Sequence, residues 1–471
     1  MAEMTRRSFL ASVASAALAG PACAARAGRP EGAAPHDRPN VILAMTDDQG
    51  WGDTGYNGHK VLKTPALDAM ARAGLRFNRF YSGAPVCSPT RGSAVTGRHP
   101  YRYGITFANV GHMRPEEVTL AEALKTQGYA TGHFGKWHLG TLTKTETESN
   151  RGGPKGVAHY SPPWDNGFDV CFSTEAKVPT WNPMLSPGSD QPYGTSYWTG
   201  PGKKVTDNLE GDDSRIVMDR AIPFIREVAK SRKPFLAVIW FHTPHEPVLA
   251  GPTHLAMYQG VASEKERHYY GCLTAMDEQV ARLRKELRDL GIAENTMLWF
   301  CADNGPEHKA GPGSTGGLRG RKRSLFEGGV RVPGLLEWPA RIKAPRTTEV
   351  PCSTADYFPT VLDVLGFRMT GQPEPLDGVS LLPLIEGKMS ERPKPIGFES
   401  GGQVALIDNR YKLITQGKGK TWMLFDLAAD RSETKDLAAE KPEIVEKMKA
   451  TLDAWRASCK DSLAGKDYRT S

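Results

Sequence analysis

Short apolar runs that stop abruptly at polar residues alternate along this chain with longer stretches of helical spacing. Each run is partly β-branched or aromatic and is bounded by turn-forming residues, which is typical of a buried strand. The runs cover residues 40–45, 235–241 and 297–301. The helical stretches begin near Thr64, Thr119, Asp213 and Tyr270, and the two threonines are predicted helix caps. This alternation predicts an α/β fold with a parallel or mostly parallel sheet and helices on both faces.

Polar side chains follow each predicted strand at the point where it ends. They are Asp47 and Asp48, then His242 and His245, then Asp303 and Asn304. Taken singly, an Asp-Asp or Asp-Asn pair before glycine is a common turn, and each histidine is an ordinary loop residue. Their coincidence at one sheet edge favours a binding site, because ligands bind outside the carboxyl ends of parallel strands.

The chemistry of these strand ends indicates a metal ion. Carboxylates and an amide oxygen, with no thiolate cluster beside them, suit a hard divalent cation such as Ca²⁺ or Mg²⁺ rather than zinc. A cation at this edge would attract an oxyanion.

The segment VCSPTRGSAVTG predicts a helix that begins just after Cys87. Ser88 is a favourable N-cap and Pro89 suits the first turn. Free backbone N–H groups at such a terminus favour anions, and Arg91 adds a cation with a planar donor fork. The sequence therefore places Cys87 beside an anion-binding surface.

Three further basic side chains are candidates for the same surface. Lys136 and His138 lie two residues apart in GKWHLG, so on an extended stretch both would point the same way. Lys322 lies in another basic loop, RGRKRSLFEGG. Considered one at a time, a solvated lysine or a packed histidine is the more ordinary interpretation of each.

Length and composition narrow the class of protein. A chain of 471 residues predicts two domains. We place them at residues 25–385 and at 386–471, the second a small α+β unit of antiparallel strands and a terminal helix that starts at Pro442. The net charge is +7 with no dense Lys/Arg block, so no nucleic-acid partner is expected. This mild excess suits an anionic substrate or simply a solvated basic surface.

The N-terminus predicts export. Arg6 and Arg7 precede an apolar stretch that is too short to cross a bilayer, and a small-residue cleavage site follows, so residues 1–24 resemble a twin-arginine signal. We expect a periplasmic or secreted protein without a membrane span. Lipid attachment at Cys23 is disfavoured by Pro21. The other six cysteines lack zinc-site spacing and allow at most one or two disulfides.

Residues 150–202 differ in character from the rest of the chain. They are rich in proline, glycine and aromatic residues and show little periodicity, which predicts a long excursion over the sheet edge. Its aromatic side chains are candidates for stacking on sugar rings. They are Trp164, Trp181, Tyr193 and Trp198.

Six motifs in order resemble the type I, formylglycine-dependent sulfatases. They are TDDQGWGDTGYNG, CSPTR, GKWHLG, HTPHEP, CADNG and FEGGVRVP, which together run from Thr46 to Pro333. The overall likeness is to the arylsulfatase and N-acetylgalactosamine-6-sulfatase branch. Ala94 and Val95 stand where many members have two leucines, a change of volume on a predicted buried helix face.

This resemblance implies an alkaline phosphatase-like fold, with a large mixed sheet, and a role for each candidate residue. A maturation enzyme would oxidise Cys87 to formylglycine, whose hydrate attacks the sulfur of a sulfate ester. One Ca²⁺ would be held by Asp47, Asp48, Asp303, Asn304 and the modified Cys87. Arg91 and Lys136 would stabilise the hydrate oxygens, and Lys322 and His245 would bind sulfate and assist the leaving oxygen. His138 would take the proton that regenerates the aldehyde. The motif position Pro-His-x-Pro selects His245 over His242.

The resemblance leaves the substrate open, and we expect a sulfated carbohydrate. Two alternatives remain. One is a phosphoester or phosphonate hydrolase of the same superfamily, in which related folds use two zinc ions and several histidines. The other is an unmodified, non-catalytic glycan-binding protein. The state of Cys87 separates this last alternative from an enzyme.

Overall fold

The structure, a computed structural model, describes residues 38–148, 154–307, 312–416 and 421–468, with only the backbone of 154–156. The predicted signal at residues 1–24, including Cys23, lies outside the described residues. By its internal contacts, Arg38–Ser471 is one compact unit. The domain boundary at residue 386 therefore stays a prediction.

The described part of the chain contains seventeen strands and ten α-helices. The strands are β1 (Asn40–Thr46), β2 (Leu75–Phe77), β3 (Phe80–Tyr81), β4 (Ala130–Lys136), β5 (Val170–Thr174), β6 (Trp198–Gly200), β7 (Lys203–Lys204), β8 (Phe235–Trp240), β9 (Thr296–Ala302), β10 (Arg331–Val332), β11 (Gly334–Glu337), β12 (Arg346–Thr348), β13 (Cys352–Ser353), β14 (Ile396–Ser400), β15 (Gln403–Ile407), β16 (Tyr411–Gln416) and β17 (Thr421–Asp426). The helices are α1 (Pro65–Ala73), α2 (Cys87–Thr96), α3 (Leu120–Thr126), α4 (Asp213–Lys230), α5 (Pro252–Ala256), α6 (Glu264–Asp289), α7 (Glu327–Val330), α8 (Tyr357–Val364), α9 (Leu382–Ile385) and α10 (Pro442–Leu463).

A ten-stranded mixed sheet forms the centre of the molecule, in the order β12-β2-β11-β9-β1-β8-β4-β5-β6-β7. Its middle strands run parallel: β1 pairs with β8 and β9, and β4 pairs with β8 and β5. Antiparallel pairs join β11 to β9 and β6 to β5. The predicted large, mostly parallel sheet is confirmed.

Both faces of this sheet are buried, as a parallel sheet requires. Side chains alternate along β1, so that Val41 and Leu43 enter one hydrophobic cluster while Ile42 and Ala44 enter the other. Helices α2, α3 and α8 contribute to the first cluster, and α4 and α6 contribute to the second. The three predicted strands are observed to within a residue at each end.

The C-terminal strands form a separate four-stranded antiparallel sheet, β14-β15-β16-β17. One face packs on α10 through Val445, Met448 and Leu452. The other face packs on Leu325 and Phe326 of the main part of the chain. The small α+β unit and the helix starting at Pro442 are confirmed, and β14 is a strand that the pattern did not predict.

One predicted helix cap is confirmed, one is not, and one helix begins earlier than expected. Thr119 caps α3 in a capping box with Glu122, as predicted. The Thr64 side chain makes no cap bond, and the carboxylate of Asp277 accepts the first N–H groups of α1 instead. Helix α6 begins at Glu264 rather than near Tyr270, because Ser263 caps it. Local sequence thus misses a cap that is supplied from a distant helix.

The excursion at residues 150–202 is partly sheet rather than an overhanging loop. It contributes β5 and β6 to the large sheet, and Trp198 of β6 is only 2% exposed. Its indole Nε1 donates to Glu148 at 2.9 Å. Because its side chain is buried, the expectation that Trp198 offers a free face to a sugar is wrong. The sequence did not show this, since a strand of three residues is too short for a detectable alternation of apolar and polar positions.

The six cysteines among the described residues are all buried and unpaired, so the one or two disulfides that the sequence allowed are not found there. Among the described helices, none is long and apolar enough to cross a membrane.

Replacing the buried indole tests its structural role. Trp198→Ala should lower the free energy of unfolding by about 3–5 kcal/mol, because it leaves a cavity and removes a hydrogen-bond donor from the Glu148 carboxylate. Thermal and denaturant unfolding would measure the loss. Tyr193→Ala is the matched control from the same excursion, with an expected change below about 1 kcal/mol. A wild-type melting temperature for Trp198→Ala would contradict the assignment.

Candidate functional site

Four neighbouring strands of the large sheet end at one edge, and each delivers a candidate residue there. In sheet order they are β4, β8, β1 and β9. Lys136 ends β4, and His242 and His245 follow β8. Beyond the strand ends, the N–H of Asp47 donates to Thr243 at 3.0 Å and the N–H of Asp303 donates to Thr46 at 3.0 Å. The ladder thus holds the polar residues side by side, as the sequence led us to expect.

Arg91 links two of these strand ends. Its guanidinium lies 2.7 Å from an oxygen of Asp303 and 3.4 Å from an oxygen of Asp47. It also donates to the carbonyl of Lys136 at 3.0 Å and lies over the ring of Trp240 at 5.2 Å. Because Arg91 is fully buried, these contacts fix its direction.

Two lysines complete the inner charge cluster. Lys136 pairs with Asp47, and Lys322 lies 2.7 Å from a carboxylate oxygen of Asp48. The amide nitrogen of Asn304 donates to the same Asp48 carboxylate at 2.7 Å. All five side chains are at most 5% exposed. The loop before α7 therefore brings Lys322 to the strand ends, although it is distant in sequence.

The oxygens of this cluster fit a metal ion. Among the described residues, Asp47 Oδ1 and Asn304 Oδ1 are buried and have no hydrogen-bond donor. Ligand atoms of Asp47, Cys87 and Asp303 lie within 4.8 Å of one another. Buried acceptors without donors are costly unless a cation takes their lone pairs. The donor set is oxygen-rich and hard, which favours Ca²⁺ or Mg²⁺.

The carboxylates differ in how well their charge is balanced. Burial opposes the ionisation of Asp47, but the charges of Lys136, Arg91 and Lys322 outweigh it and hold its pKa well below the ordinary value. Burial and the charge of Asp47 raise the pKa of Asp303 to about 7. Asp303 is the carboxylate that gains most from an added cation.

Cys87 is the first residue of α2 and is 2% exposed. The predicted cap at Ser88 is wrong: Val86 occupies the N-cap, and Ser88 Oγ is a buried atom with no hydrogen-bond partner in the described part. Instead, Thr90 ties the turn together by accepting from the N–H of Ala84 at 3.1 Å. Burial raises the pKa of the Cys87 thiol, which keeps it protonated and a poor nucleophile.

His138 lies on the wall of the same cavity as Lys136, but not because of strand alternation. Lys136 is the last residue of β4, and His138 has φ of 58°, so the chain turns between them and the extended stretch that we expected is absent. The ring Nε2 is 2.7 Å from Asn109 Oδ1. Since an amide oxygen accepts, Nε2 carries the proton and Nδ1 carries the lone pair.

The two histidines after β8 have different surroundings. His242 is fully buried between Asp213, at 2.8 Å, and Thr174, at 2.7 Å, which is a structural position. His245 lines the cavity, with Nε2 3.7 Å from Asp48 and Nδ1 donating to the carbonyl of Glu246 at 2.8 Å. Burial lowers the pKa of His245 to about 4, so its imidazole is neutral.

A cavity of about 540 Å³ opens over this cluster. Cys87, Lys136, His138, His245 and Lys322 line its inner part. This volume is within the range of roughly 300–1,000 Å³ that is typical of small-molecule sites. The cavity can therefore hold a group considerably larger than a single oxyanion.

The outer wall contains residues that the sequence did not single out. They are Phe107, Asn109, Lys177, Glu246, Glu307 and Arg323. Of the four aromatic residues proposed from the excursion, only Tyr193 lines this cavity. Trp181 packs over Gly251, and Trp164 packs on the large core. Glu246 lies in the motif HTPHEP, but the other outer-wall residues gave no signal in the sequence, because their positions around the cavity depend on the fold.

Comparison with known proteins gives a consistent result. The family model described as Sulfatase matches residues 39–367, and the model described as N-sulphoglucosamine sulphohydrolase, C-terminal, matches residues 320–458. N-acetylgalactosamine-6-sulfatase of Sus scrofa is 32% identical over 75% of this chain and 67% of its own length. Arylsulfatase G of Rattus norvegicus is 30% identical over 92% of this chain and 89% of its own.

A solved structure is similar over most of its length. Ps i-CgsB in complex with k-i-k-neocarrahexaose superposes with a TM-score of 0.77 at 26% identity, covering 89% of this chain and 92% of that one.

Removing one strand-end carboxylate tests the metal site. Asp303→Ala should bind less Ca²⁺, because it removes a hard oxygen ligand and leaves the charge of Arg91 less well balanced. Metal analysis of the purified protein measures this directly. Added Ca²⁺ should raise the melting temperature of the wild type and leave that of Asp303→Ala unchanged.

Asp277→Asn is the matched control, since Asp277 is a buried carboxylate that caps α1 instead of facing the cavity. It should keep the calcium content of the wild type. An Asp303→Ala protein that retains full calcium would remove Asp303 from the ligand set.

Proposed function

This chain belongs to the sulfatase family and hydrolyses sulfate esters, and on that premise we propose that its substrate is a sulfated carbohydrate, cleaved with a formylglycine made from Cys87 and a bound Ca²⁺. One observation carries the proposal. Cys87, at the start of α2, lines the same cavity as Lys136 and Lys322, and its sulfur lies within 4.8 Å of carboxylate oxygens of Asp47 and Asp303. That combination suits an oxyanion substrate.

Ca²⁺ would be held by Asp47, Asp48, Asp303, Asn304 and the modified Cys87. The ion supplies positive charge that neutralises the oxygens of the sulfate group as the ester bond breaks. Three cationic side chains already balance the three carboxylates, so a bound divalent ion leaves the site positive. This charge favours an anionic ester over a neutral one.

The Cys87 thiol is poorly suited to attack sulfur, because burial raises its pKa. We infer that a maturation enzyme, with an external two-electron oxidant and water, converts –CH₂SH to –CHO at this position and releases the sulfur as H₂S. The hydrated aldehyde provides the hydroxyl nucleophile. The position at a helix N-terminus and beside Lys136 suits a group that carries developing negative charge.

The surrounding side chains supply charge and proton transfer. Arg91 and Lys136 fix and stabilise the oxygens on residue 87, and Lys322 and His245 bind the sulfate and assist the leaving oxygen. His138 acts as the base, through Nδ1, since Asn109 accepts from its Nε2.

A carbohydrate fits the outer part of the cavity. Its wall combines Tyr193 with polar groups from several loops, including Asn109 and Glu246. An aromatic face packs on the C–H surface of a sugar ring, while polar groups bind its hydroxyls. The solved relative Ps i-CgsB, which was crystallised with k-i-k-neocarrahexaose, supports a saccharide ligand.

Two alternatives are less well supported by the residues of the site. Phosphoester or phosphonate hydrolysis with two zinc ions requires several histidine ligands, whereas the described carboxylate cluster has one histidine, His245, near it. A non-catalytic glycan-binding protein would retain Cys87 as a thiol.

We also propose export to the periplasm or secretion, from residues 1–24.

Cys87→Ala should fold normally and lose turnover by at least ~10³-fold, because it removes the nucleophile without a large change in packing. Sulfate release from a sulfated oligosaccharide and from nitrophenyl sulfate measures activity, with an aryl phosphonate ester as the comparison substrate. Mass spectrometry of the wild-type Cys87 peptide should show the aldehyde in place of the thiol.

Cys171→Ala serves as the control, since Cys171 is equally buried but belongs to β5 within the large core. It should keep wild-type kinetics. Substantial turnover by Cys87→Ala, or a preference for the phosphonate ester, would reject the proposed chemistry.

Tyr193→Ala should lower kcat/KM for a sulfated oligosaccharide by about threefold to tenfold and leave nitrophenyl sulfate hydrolysis nearly unchanged, because Tyr193 lines only the outer cavity. Tyr411→Ala, in the C-terminal sheet, is the control. Equal losses on both substrates would mean that Tyr193 supports the fold rather than the sugar.

A further inference from the structure

Lys177 is a cation of the cavity wall whose charge no residue in the described ranges neutralises. It lies just beyond the end of β5 and lines the same cavity as Cys87 and His245. Its side chain is half-buried and makes no hydrogen bond or ion pair with any residue in the described ranges. A lysine held at a cavity wall without a partner favours binding of an anion.

The other cations of the cavity are already paired. Lys136 lies against Asp47, and Lys322 against Asp48. Arg323, at the outer wall, pairs with Glu307 at 2.6 Å. Lys177 therefore differs from them, since no carboxylate within the described part neutralises it.

Glu246 is the other charged group that faces this part of the cavity without an ion pair among the described residues. It lies near Tyr193, whose pKa is raised by burial and by the charge of Glu246. A carboxylate beside a tyrosine suits the hydroxyl donors of a sugar ring. Glu246 and Lys177 together thus favour a ligand with hydroxyls on one side and an anionic group on the other.

The backbone around Lys177 is fixed at both ends. On one side, Thr174 donates to the carbonyl of Ala176 at 2.8 Å and contacts His242. On the other, Thr180 donates to the carbonyl of Leu249 at 2.6 Å. The flanking Ala176 and Val178 are both buried. A ligand that binds Lys177 therefore does not have to order this stretch of backbone.

We propose that Lys177 determines specificity by binding a second anionic group of the substrate, a carboxylate or a further sulfate, placed on the same sugar as the cleaved ester or on its neighbour. The inference rests on the proposed function, because it assumes that a sulfated sugar occupies this cavity. It adds that the preferred substrate carries more than one negative charge.

The test uses the full-length, matured enzyme and three matched disaccharide sulfates. One has a single sulfate and no other charge, one has a second sulfate, and one has a uronate carboxylate. Wild type, Lys177→Gln and Lys177→Arg are compared by kcat and KM on each, with nitrophenyl sulfate as a fourth substrate. Lys203→Gln is the control, since Lys203 is exposed on β7 and does not line the cavity.

Wild type should prefer one of the doubly charged disaccharides, and which one it prefers identifies the anionic group. Lys177→Gln should raise KM and lower kcat/KM on that substrate by about tenfold to a hundredfold, since a hydrogen bond to a charged group is lost. The singly charged sugar and nitrophenyl sulfate should change less than about twofold, and Lys177→Arg should restore most of the preference.

Binding provides a second measurement that does not need turnover. In a Cys87→Ala background, Lys177→Gln should raise the dissociation constant of the preferred disaccharide by a similar factor, and added salt should reduce the difference. No preference between singly and doubly charged sugars, or an equal loss on all four substrates, would overturn the role of Lys177 alone. Absence of activity and binding on every sugar, with nitrophenyl sulfate still cleaved, would overturn the carbohydrate proposal together with it.

Discussion

Three buried carboxylates at one edge of the large sheet have to be balanced by cations, and this constraint governs how the rest of the chain is arranged. Asp47, Asp48 and Asp303 are at most 2% exposed. Unpaired, such groups would be strongly destabilising. Their partners come from other elements: Arg91 from α2, Lys136 from the end of β4, and Lys322 from the loop before α7. Each element must pack in place before the charges balance, so the site and the fold stabilise each other.

The small C-terminal sheet supplies another buried cation, which balances two other buried carboxylates. Lys412 of β16 is fully buried and lies 3.0 Å from Glu327 and 3.0 Å from Glu433. Glu327 begins α7, whose glycines lie against Gly305; a side chain at Gly305 would come within 1.9 Å of the carbonyl of Gly328. The N–H of Gly305 donates to Gly329 at 3.0 Å, directly after Asn304. The C-terminal sheet thus supports the segment that carries a metal-ligand candidate, although none of its described residues lines the cavity.

The sequence predicted the parts of the structure that depend on regular repetition. Buried strands are recognisable as apolar runs, and the carboxyl ends of parallel strands lie at the same edge of a sheet. The sequence alone therefore predicted that Asp47, His245 and Asp303 lie close together. The sequence did not reveal residues whose position depends on tertiary contacts. Val86 rather than Ser88 occupies the N-cap position of α2, and Asp277 of a distant helix accepts the first N–H groups of α1. Trp198 is buried in a three-residue strand. Periodicity cannot detect elements of that length.

The residues that select the substrate belong to a different part of the fold from the residues that carry out the reaction. The inner groups lie on strand ends and on α2, where backbone hydrogen bonds fix them within the sheet. The outer wall is built from separate loops, which contribute Asn109, Lys177, Tyr193 and Arg323. Loops tolerate substitution, because few core contacts depend on them, whereas a change in the balanced inner cluster leaves a buried charge unpaired. The same reaction can therefore be redirected to a new sulfate ester by altering the outer wall, most of which lies outside the motifs that identify the reaction.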